Sequence, residues 1–299
     1  NEKLMTTEVA NMIIEKIDRI LNDNIFEGIN IHYFGGEPLL NIPVLIYLDE
    51  NIKKITDKIG IVYKAFLTTN GSMLSKELLQ KVKFSSIQLT FDGLEKTHDR
   101  LRVSDHFHFK EEIELIENIM NFSQAKVLLR TNICKENKDE IIALHKYIFE
   151  KFGNERIEIN PNRTIKYHQD DSFEMLSVQE YAEVAYQIKL LWSEQKGKFE
   201  LPVPRSTPCK FPYGNAYAIS PEGYCTFCSG SMDQEKKYFF DVDIENKKMF
   251  SVRKECKKCN ILPLCLGGCI IQYNLRAGAC TYEKYELKNI LISYIKHIS

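Results

Sequence analysis

The sequence predicts an α/β fold with a parallel sheet, and three observations lead to this prediction. Short apolar and β-branched runs alternate with stretches whose apolar residues recur at helical spacing. Glycine, asparagine or aspartate follows these runs, as expected where a strand ends in a turn. The 299 residues, 44% hydrophobic and 27% charged, suffice for a substantial core. Five strands separated by helices indicate a sheet that is open or barrel-like.

Each predicted element follows from a local pattern. Residues 7–21 form the opening helix, because apolar side chains recur every three or four positions and Thr6 or Thr7 can cap its start. Residues 29–34 are mostly apolar, β-branched or aromatic and stop at two glycines, which predicts a buried strand. The alternation continues with helix 44–59, strand 61–67, helix 75–82, strand 87–91, helix 111–122, strand 126–130, helix 139–152, strand 156–159 and a bridging helix over 178–192.

Polar or glycine-containing turns follow all five predicted strands. Parallel α/β folds bind ligands at the C-terminal ends of their strands, so these turns predict a binding site. The sequence has neither the dinucleotide glycine pattern nor a phosphate loop, so we expect a small polar ligand that does not depend on phosphate. The turns are Gly35-Gly36-Glu37-Pro38, Thr68-Thr69-Asn70-Gly71, Asp92-Gly93, Thr131-Asn132 and Asn160-Pro161-Asn162.

The charge balance and the apolar pattern narrow the function classes. With 40 basic and 41 acidic side chains, the chain has no net field that would attract nucleic acid or a membrane surface. It has no run of about 18 apolar residues and no signal-peptide order. We therefore expect a cytoplasmic protein that binds neither nucleic acid nor membrane.

Eight of the nine cysteines fall in the last third of the chain, whereas Cys134 stands alone. A reducing cytosol disfavours disulfides, so dense cysteines indicate metal ligands. Two-residue gaps let both thiolates of a pair reach one metal or cluster, and both structural zinc and iron-sulfur remain open. The prolines near residues 202–208 predict a boundary, which gives three parts: a barrel-like part (1–165), a bridging helical segment (166–204) and a cysteine-rich domain (205–299).

The cysteine spacing resembles that of the SPASM domain, the auxiliary-cluster domain that follows a radical SAM barrel. Thirteen residues separate Cys209 from Gly223, and Cys228 follows Gly223 after four more. The next group has the order Cys-x2-Cys-x5-Cys-x3-Cys, and Cys280 follows after a further gap. The sequence meets every spacing of that pattern.

The first part of the chain is similar to the barrel of radical SAM enzymes. Its turn at 35–38 matches the Gly-Gly-Glu-Pro element that holds the amino group of S-adenosylmethionine (SAM), and TTNG, LTFDG, HDRLR and LLRTNI follow in the family's order. By position, Thr90 and Arg130 match residues that bind the SAM carboxylate, and a guanidinium is a strong partner for a carboxylate. The resemblance implies a partial (β/α)6 TIM-like barrel that lacks its first strand, followed by a SPASM domain.

The ligands of two [4Fe-4S] clusters are interleaved in the SPASM pattern. The resemblance implies that Cys209, Cys228 and Cys269 hold one cluster. Cys225 is the natural fourth ligand of that cluster, since its two-residue gap to Cys228 suits one cluster. The alternative is that Cys225 is free and that the cluster keeps an open iron for a substrate thiolate. The ligands implied for the second cluster are Cys256, Cys259, Cys265 and Cys280.

One departure from the family concerns the Cys-x3-Cys-x2-Cys motif that holds the SAM-cleaving cluster, because the 299 residues do not contain it. The motif belongs to the loop after the first barrel strand, which is also missing from a chain that opens with a helix. We expect both on a segment upstream of Asn1, together with a third [4Fe-4S] cluster, so that the chain as written would not cleave SAM. The alternative is a degenerate homologue without catalysis.

The resemblance implies a radical SAM oxidoreductase that modifies a peptide or protein substrate and takes electrons from an external donor. The expected product is a thioether or carbon-carbon crosslink, and the alternative is formylglycine, as made by anaerobic sulfatase maturases. Those maturases carry Asp directly after the Cys of Gly-x4-Cys and tend to carry Gln where Thr68 stands, whereas Ser229 follows Cys228 here. The rival of another class is a non-catalytic scaffold or electron-transfer protein that holds iron-sulfur clusters or zinc.

Overall fold

The computed structural model describes residues 3–153, 155–165, 173–207, 209, 216–226, 237–242, 252–269 and 280–298. Five strands form one sheet in the order β1-β2-β3-β4-β5. Strand β2 pairs in parallel with both β1 and β3, an arrangement that needs a crossover connection after each strand. The predicted α/β fold with a parallel sheet is confirmed. The strands are β1 (Gly28–Tyr33), β2 (Val62–Thr68), β3 (Phe84–Thr90), β4 (Lys126–Ile133) and β5 (Ile157–Arg163).

Helices occupy the predicted positions between these strands. Thr6 caps the first helix by accepting a hydrogen bond from the Val9 N–H, and Ser177 caps the bridging helix in a reciprocal capping box with Glu180. The helices are α1 (Thr7–Asp23), α2 (Ile42–Ile59), α3 (Lys76–Lys81), α4 (Glu95–Leu101), α5 (Phe109–Phe122), α6 (Ile141–Phe152), α7 (Val178–Lys196), α8 (Leu262–Cys265) and α9 (Glu283–Ile298), with 3-10 turns at Pro38–Asn41, Phe239–Asp241 and Lys254–Cys256.

Two compact units make up the described chain, and the first combines segments that are distant in sequence. It contains Asn1–Leu89, Lys110–Leu128 and Gly214–Lys247. Its core joins the apolar side of α1 to Ile52 of α2 and to a small antiparallel sheet. That sheet consists of β6 (Ala218–Ile219), β7 (Tyr224–Thr226) and β8 (Lys237–Tyr238).

The second unit contains Thr90–Phe109, Leu129–Tyr213 and Lys248–Ser299. Helices α7 and α9 pack together there, and Lys189 of α7 lies 2.6 Å from the buried carboxylate of Glu286 on α9. The pair keeps the Glu286 charge compensated where water cannot solvate it. These two units do not test the predicted division of the chain into parts 1–165, 166–204 and 205–299, which stays a prediction.

Two of the predicted turns lie inside strands. Residues 131–132 belong to β4, and residues 160–162 belong to β5, although asparagine and proline favour turns by propensity. Strand β5 is last in the strand order, and an edge strand tolerates a proline because the missing N–H donor is not needed for pairing there. No helix among the described residues is long and apolar enough to cross a bilayer.

Candidate functional site

Glu37 connects the loop after β1 to the loop after β2 in the first unit. One carboxylate oxygen of Glu37 accepts hydrogen bonds from the Leu39 N–H at 2.9 Å and the Thr69 hydroxyl at 2.7 Å. The other accepts from the Asn70 N–H at 2.7 Å. Thr69 is buried and in turn accepts from the Gly71 N–H at 3.0 Å. The predicted ligand Glu37 therefore holds two loops in place with its side chain.

The backbone beside Glu37 is open at Gly35 and Gly36. Among the described residues, apart from the two chain neighbours of each glycine, no atom lies within 4 Å of the position that a Cβ would take at Gly35 or Gly36. Gly35 has a φ of +142°, which side-chain-bearing residues rarely adopt. A side chain at these positions would fill the open space. The two glycines thus provide a backbone edge that a ligand can approach closely.

A histidine lies next to these loops on the same face of the sheet as Thr68. Nε2 of His32 lies 2.8 Å from Oγ1 of Thr68, so the ends of β1 and β2 share a hydrogen bond. The rings of Phe34 and Phe66 lie near the imidazole, with centroids 5.9 and 6.2 Å from it. Partial burial lowers the pKa of His32, so the imidazole is neutral at neutral pH.

Thr90 and Arg130 lie at neighbouring strand ends in the second unit. The Phe91 N–H donates to the Arg130 carbonyl oxygen at 2.9 Å, which places the end of β3 beside β4. Nε of Arg130 donates to Oδ1 of Asn132 at 2.9 Å, two residues farther along the same face of β4. Thr90 is buried and Arg130 is half-buried. The structure therefore brings these two predicted ligands to adjacent strands with the guanidinium oriented by Asn132.

The residues of LTFDG and HDRLR form one hydrogen-bonded network around Asp92. The Asp92 carboxylate accepts from the Asn132 N–H at 2.9 Å and from Nη1 of Arg102 at 3.2 Å. The Asp92 N–H donates to Nδ1 of His98 at 3.4 Å, and burial lowers the pKa of His98 to about 4. Asn137 donates to the Asp92 carbonyl oxygen at 2.8 Å. Asp92 therefore fixes Asn132, and Asn132 in turn orients the Arg130 guanidinium on β4.

Gly93 has no room for a side chain. A Cβ at this position would lie 2.8 Å from Cβ and Cγ2 of Thr97, and the φ of Gly93 is +155°. The Thr97 hydroxyl donates to Glu140 at 2.5 Å, and the other oxygen of the same carboxylate accepts from the Leu94 N–H at 3.3 Å. Glu140 thereby fixes the start of α4, a helix that the sequence patterns did not predict.

Four of the predicted iron-sulfur ligands share one cavity in the second unit. Arg253, Leu262, Gly267 and Thr281 complete its wall. Within the ranges that the structure describes, no three His, Cys, Asp or Glu side chains gather closely enough to hold a single metal ion. The cavity-lining thiols are those of Cys256, Cys259, Cys265 and Cys280, the set that the SPASM pattern implies for one cluster. The donor set and its enclosure fit a thiolate-held iron-sulfur cluster.

The remaining predicted ligands have separate surroundings. Cys209 and Cys269 are half-buried in the second unit, and Cys228 lies outside the described residues. Cys225 is 3% exposed and packs in the apolar core of the first unit with Ile13 and Phe239, where burial raises the pKa of its thiol to about 11. Cys225 therefore lies in an apolar environment, and its assignment as a cluster ligand stays a prediction.

Sequence patterns did not point to Arg253 or Thr281. Nη2 of Arg253 lies 3.7 Å from Sγ of Cys256 and donates to the Gly267 carbonyl oxygen at 2.5 Å. The Thr281 hydroxyl is buried and makes no hydrogen bond within the described part of the chain. The sequence places both residues close to predicted ligands, since Arg253 precedes Cys256 by three residues and Thr281 follows Cys280 directly, but it gives no other indication of their contacts.

Comparison with known proteins identifies the fold. No protein-family model and no curated protein matches the sequence. The structure of native anSMEcpe with bound AdoMet and Kp18Cys peptide matches with a TM-score of 0.70 at 18% identity, covering 98% of this chain and 90% of that one. The structure of Streptococcus suis SuiB bound to S-adenosylmethionine matches with a TM-score of 0.56 at 17% identity, covering 87% of this chain and 66% of that one. The chain shares the fold of these two structures.

Proposed function

We propose that the protein is a radical SAM enzyme that abstracts hydrogen from a peptide substrate and forms a thioether or carbon-carbon crosslink in it. The observation that carries the proposal is the fold match over 98% of the chain to a structure that contains both AdoMet and a peptide. The cavity lined by four thiols in the same chain is the second support, because its cysteines are the set that the SPASM pattern implies for one auxiliary cluster.

SAM would bind at the ends of the strands. The open backbone at Gly35 and Gly36 would take the amino group, and Thr90 and Arg130 would take the carboxylate through charge-assisted hydrogen bonds. When bound beside a reduced cluster, SAM supplies the 5′-deoxyadenosyl radical that removes hydrogen from a substrate carbon. Glu37 and Asn132 would act as positioning residues, since they orient the loop and the guanidinium.

The cysteines would hold two auxiliary [4Fe-4S] clusters that bind substrate or carry electrons received from an external donor. Cys209, Cys228 and Cys269 would hold the first, and the apolar packing of Cys225 supports the alternative in which one iron of that cluster stays open for a substrate thiolate. The four thiols of the cavity, Cys256, Cys259, Cys265 and Cys280, would hold the second.

Formylglycine formation is the second candidate, because the anSMEcpe fold match has the higher TM-score of the two reported. Sequence positions favour crosslinking instead: Ser229 follows Cys228 where sulfatase maturases carry an Asp base, and Thr68 stands where they tend to carry Gln. The Thr68 hydroxyl lies 2.8 Å from Nε2 of His32.

An assay of the complete gene product distinguishes crosslink formation from formylglycine formation. The enzyme is purified anaerobically and incubated with SAM, a strong reductant and a library of cysteine-containing peptides. We expect 5′-deoxyadenosine and a peptide that has lost two hydrogens and kept its sulfur. Loss of the sulfur as a cysteine becomes an aldehyde would support formylglycine formation. Absence of 5′-deoxyadenosine from a protein with full clusters would support the electron-transfer alternative.

A further inference from the structure

We infer that Arg253 is a positioning residue that orients the ligand loop of the cavity cluster and raises the reduction potential of that cluster. The inference rests on the proposed function, because it needs a [4Fe-4S] cluster between Cys256, Cys259, Cys265 and Cys280. It assigns a role to a side chain that lies outside the cysteine pattern.

Arg253 contacts both ends of the segment 256–267, which carries three of the four cavity thiols. Its Nη2 contacts Sγ of Cys256 at 3.7 Å and donates to the Gly267 carbonyl oxygen at 2.5 Å. The Gly267 N–H in turn donates to Sγ of Cys265 at 3.4 Å. One guanidinium therefore fixes the spacing between two thiols that are nine positions apart in the chain.

The backbone that meets Arg253 has an unusual course. Leu266, Gly267 and Gly268 have φ values of +47°, +87° and +69°, so three successive residues adopt the left-handed region. A Cβ at Gly268 would overlap Cγ2 of Thr281, so the loop lies directly against the residue that follows Cys280. This turn presents the Gly267 carbonyl oxygen to Arg253 and the Gly267 N–H to Cys265.

The charge of Arg253 would act on the electron affinity of the cluster. A cluster held by four thiolates is an anion that gains one further negative charge on reduction, so a nearby cation stabilises the reduced form more. The Arg253 side chain is 25% exposed, which limits screening by water. Glu255 lies 3.6 Å from Nε of Arg253 but is 57% exposed, so it offsets only part of the charge.

Three variants and one control test the inference in the complete gene product with reconstituted clusters. Arg253→Met removes the charge, Arg253→Lys keeps it without the planar fork, and Glu255→Gln removes the offsetting carboxylate. Lys258→Met is the matched control, because it removes an exposed charge close in sequence to both Cys256 and Cys259. The midpoint potential of each cluster is measured by redox titration with paramagnetic resonance, and Cys259→Ala identifies the signal of the cavity cluster.

We expect a lower midpoint potential of the cavity cluster in Arg253→Met, a largely retained value in Arg253→Lys, a higher value in Glu255→Gln and little change in Lys258→Met. An unchanged potential in Arg253→Met with full iron and sulfide overturns the inference and leaves the proposed function intact. If Arg253→Met loses the cluster, the midpoint potential of the cavity cluster in Glu255→Gln tests the inference instead. An unchanged or lower potential in Glu255→Gln overturns it. Stoichiometric zinc without sulfide in the unmodified protein would overturn the cluster assignment itself.

Discussion

The hydroxyl of Thr69 donates to the Glu37 carboxylate at 2.7 Å, across 32 positions of sequence. The same carboxylate accepts from two backbone N–H groups, those of Leu39 and Asn70. Glu37 thus accepts hydrogen bonds from donors of two loops at once. Among the described residues, no side chain occupies the space beside Gly35 and Gly36. The acidic residue of the Gly-Gly-Glu-Pro turn therefore shapes the backbone edge with its side chain.

Glu37→Ala should loosen both loops and weaken SAM binding by roughly 1.5–3 kcal/mol, the typical worth of hydrogen bonds to a charged group. The measurement is calorimetric titration of the complete protein with SAM. Thr69→Val is the matched variant, because it removes one of the three bonds and should cost less. Equal SAM affinity in Glu37→Ala and the unmodified protein would remove Glu37 from the site.

Gly93→Ala should lower the free energy of unfolding by about 2–4 kcal/mol, because the new methyl group meets Thr97 at 2.8 Å in a backbone conformation that already strains alanine. Gly153→Ala is the control, because Gly153 has a positive φ and, in the part of the chain that the structure describes, no atom beyond its chain neighbours lies within 4 Å of the position of a Cβ. Chemical denaturation measures both. If Thr97→Gly, which removes both the Cβ and the Cγ2 that the new methyl group meets, recovers none of the loss in a double variant, the steric explanation is incorrect.

Cys225→Ala should keep the iron and sulfide content of the protein and lower its stability by about 1 kcal/mol, since a small buried apolar group is removed. Cys259→Ala, which removes a thiol of the cavity, is the comparison and should lose about four irons. The measurement is iron and sulfide analysis after anaerobic purification. Loss of iron in Cys225→Ala would make Cys225 a ligand.

The buried His145 should make the second unit sensitive to acid. His145 accepts from the Trp192 indole N–H at 2.9 Å, and burial lowers the pKa of its imidazole to about 3. The unfolded chain binds a proton below about pH 6.5 whereas the folded one does not, so stability is highest above that pH and falls below it. We expect about 2 kcal/mol of the free energy of unfolding to be lost between about pH 7 and about pH 5 through this group.

Fluorescence of Trp192, the single tryptophan of the chain, reports this unfolding directly. His145→Gln is the matched variant, because a neutral amide can accept from the indole and does not titrate. Its free energy of unfolding should depend less on pH than that of the unmodified protein. Parallel pH profiles for the two proteins would assign the acid sensitivity to other groups.

The alternating elements could be predicted because their periodicity is local. Strand β1 and helix α1 keep apolar residues at the spacings that their geometry requires. Helix α9 could not be predicted in the same way, since Leu291, Ile292 and Ile295 remain exposed and its stability depends on packing against α7. Tertiary contacts therefore decide elements whose own pattern is weak.

Site residues that belong to a sequence motif could be predicted. Contacts between residues that only the folded chain brings together could not. The resemblance to the SPASM pattern implied the set of four cysteines that line one cavity. The environment of Cys225 follows from strand alternation in β7 and from packing against α1, neither of which the cysteine spacing contains. The contact of Arg253 with Gly267 depends on three left-handed residues, of which only the glycines are visible in the sequence.

SAM affinity in the complete gene product, measured by calorimetry for the unmodified protein, Arg130→Ala and Arg100→Ala, tests the central claim most directly. Arg100 is the control, because it is an exposed arginine of the same unit that pairs with Glu136. We predict that the unmodified protein and Arg100→Ala bind SAM equally and that Arg130→Ala binds it at least about tenfold more weakly, corresponding to roughly 1.5–3 kcal/mol. No binding by the unmodified protein, or unchanged affinity in Arg130→Ala, would contradict the account.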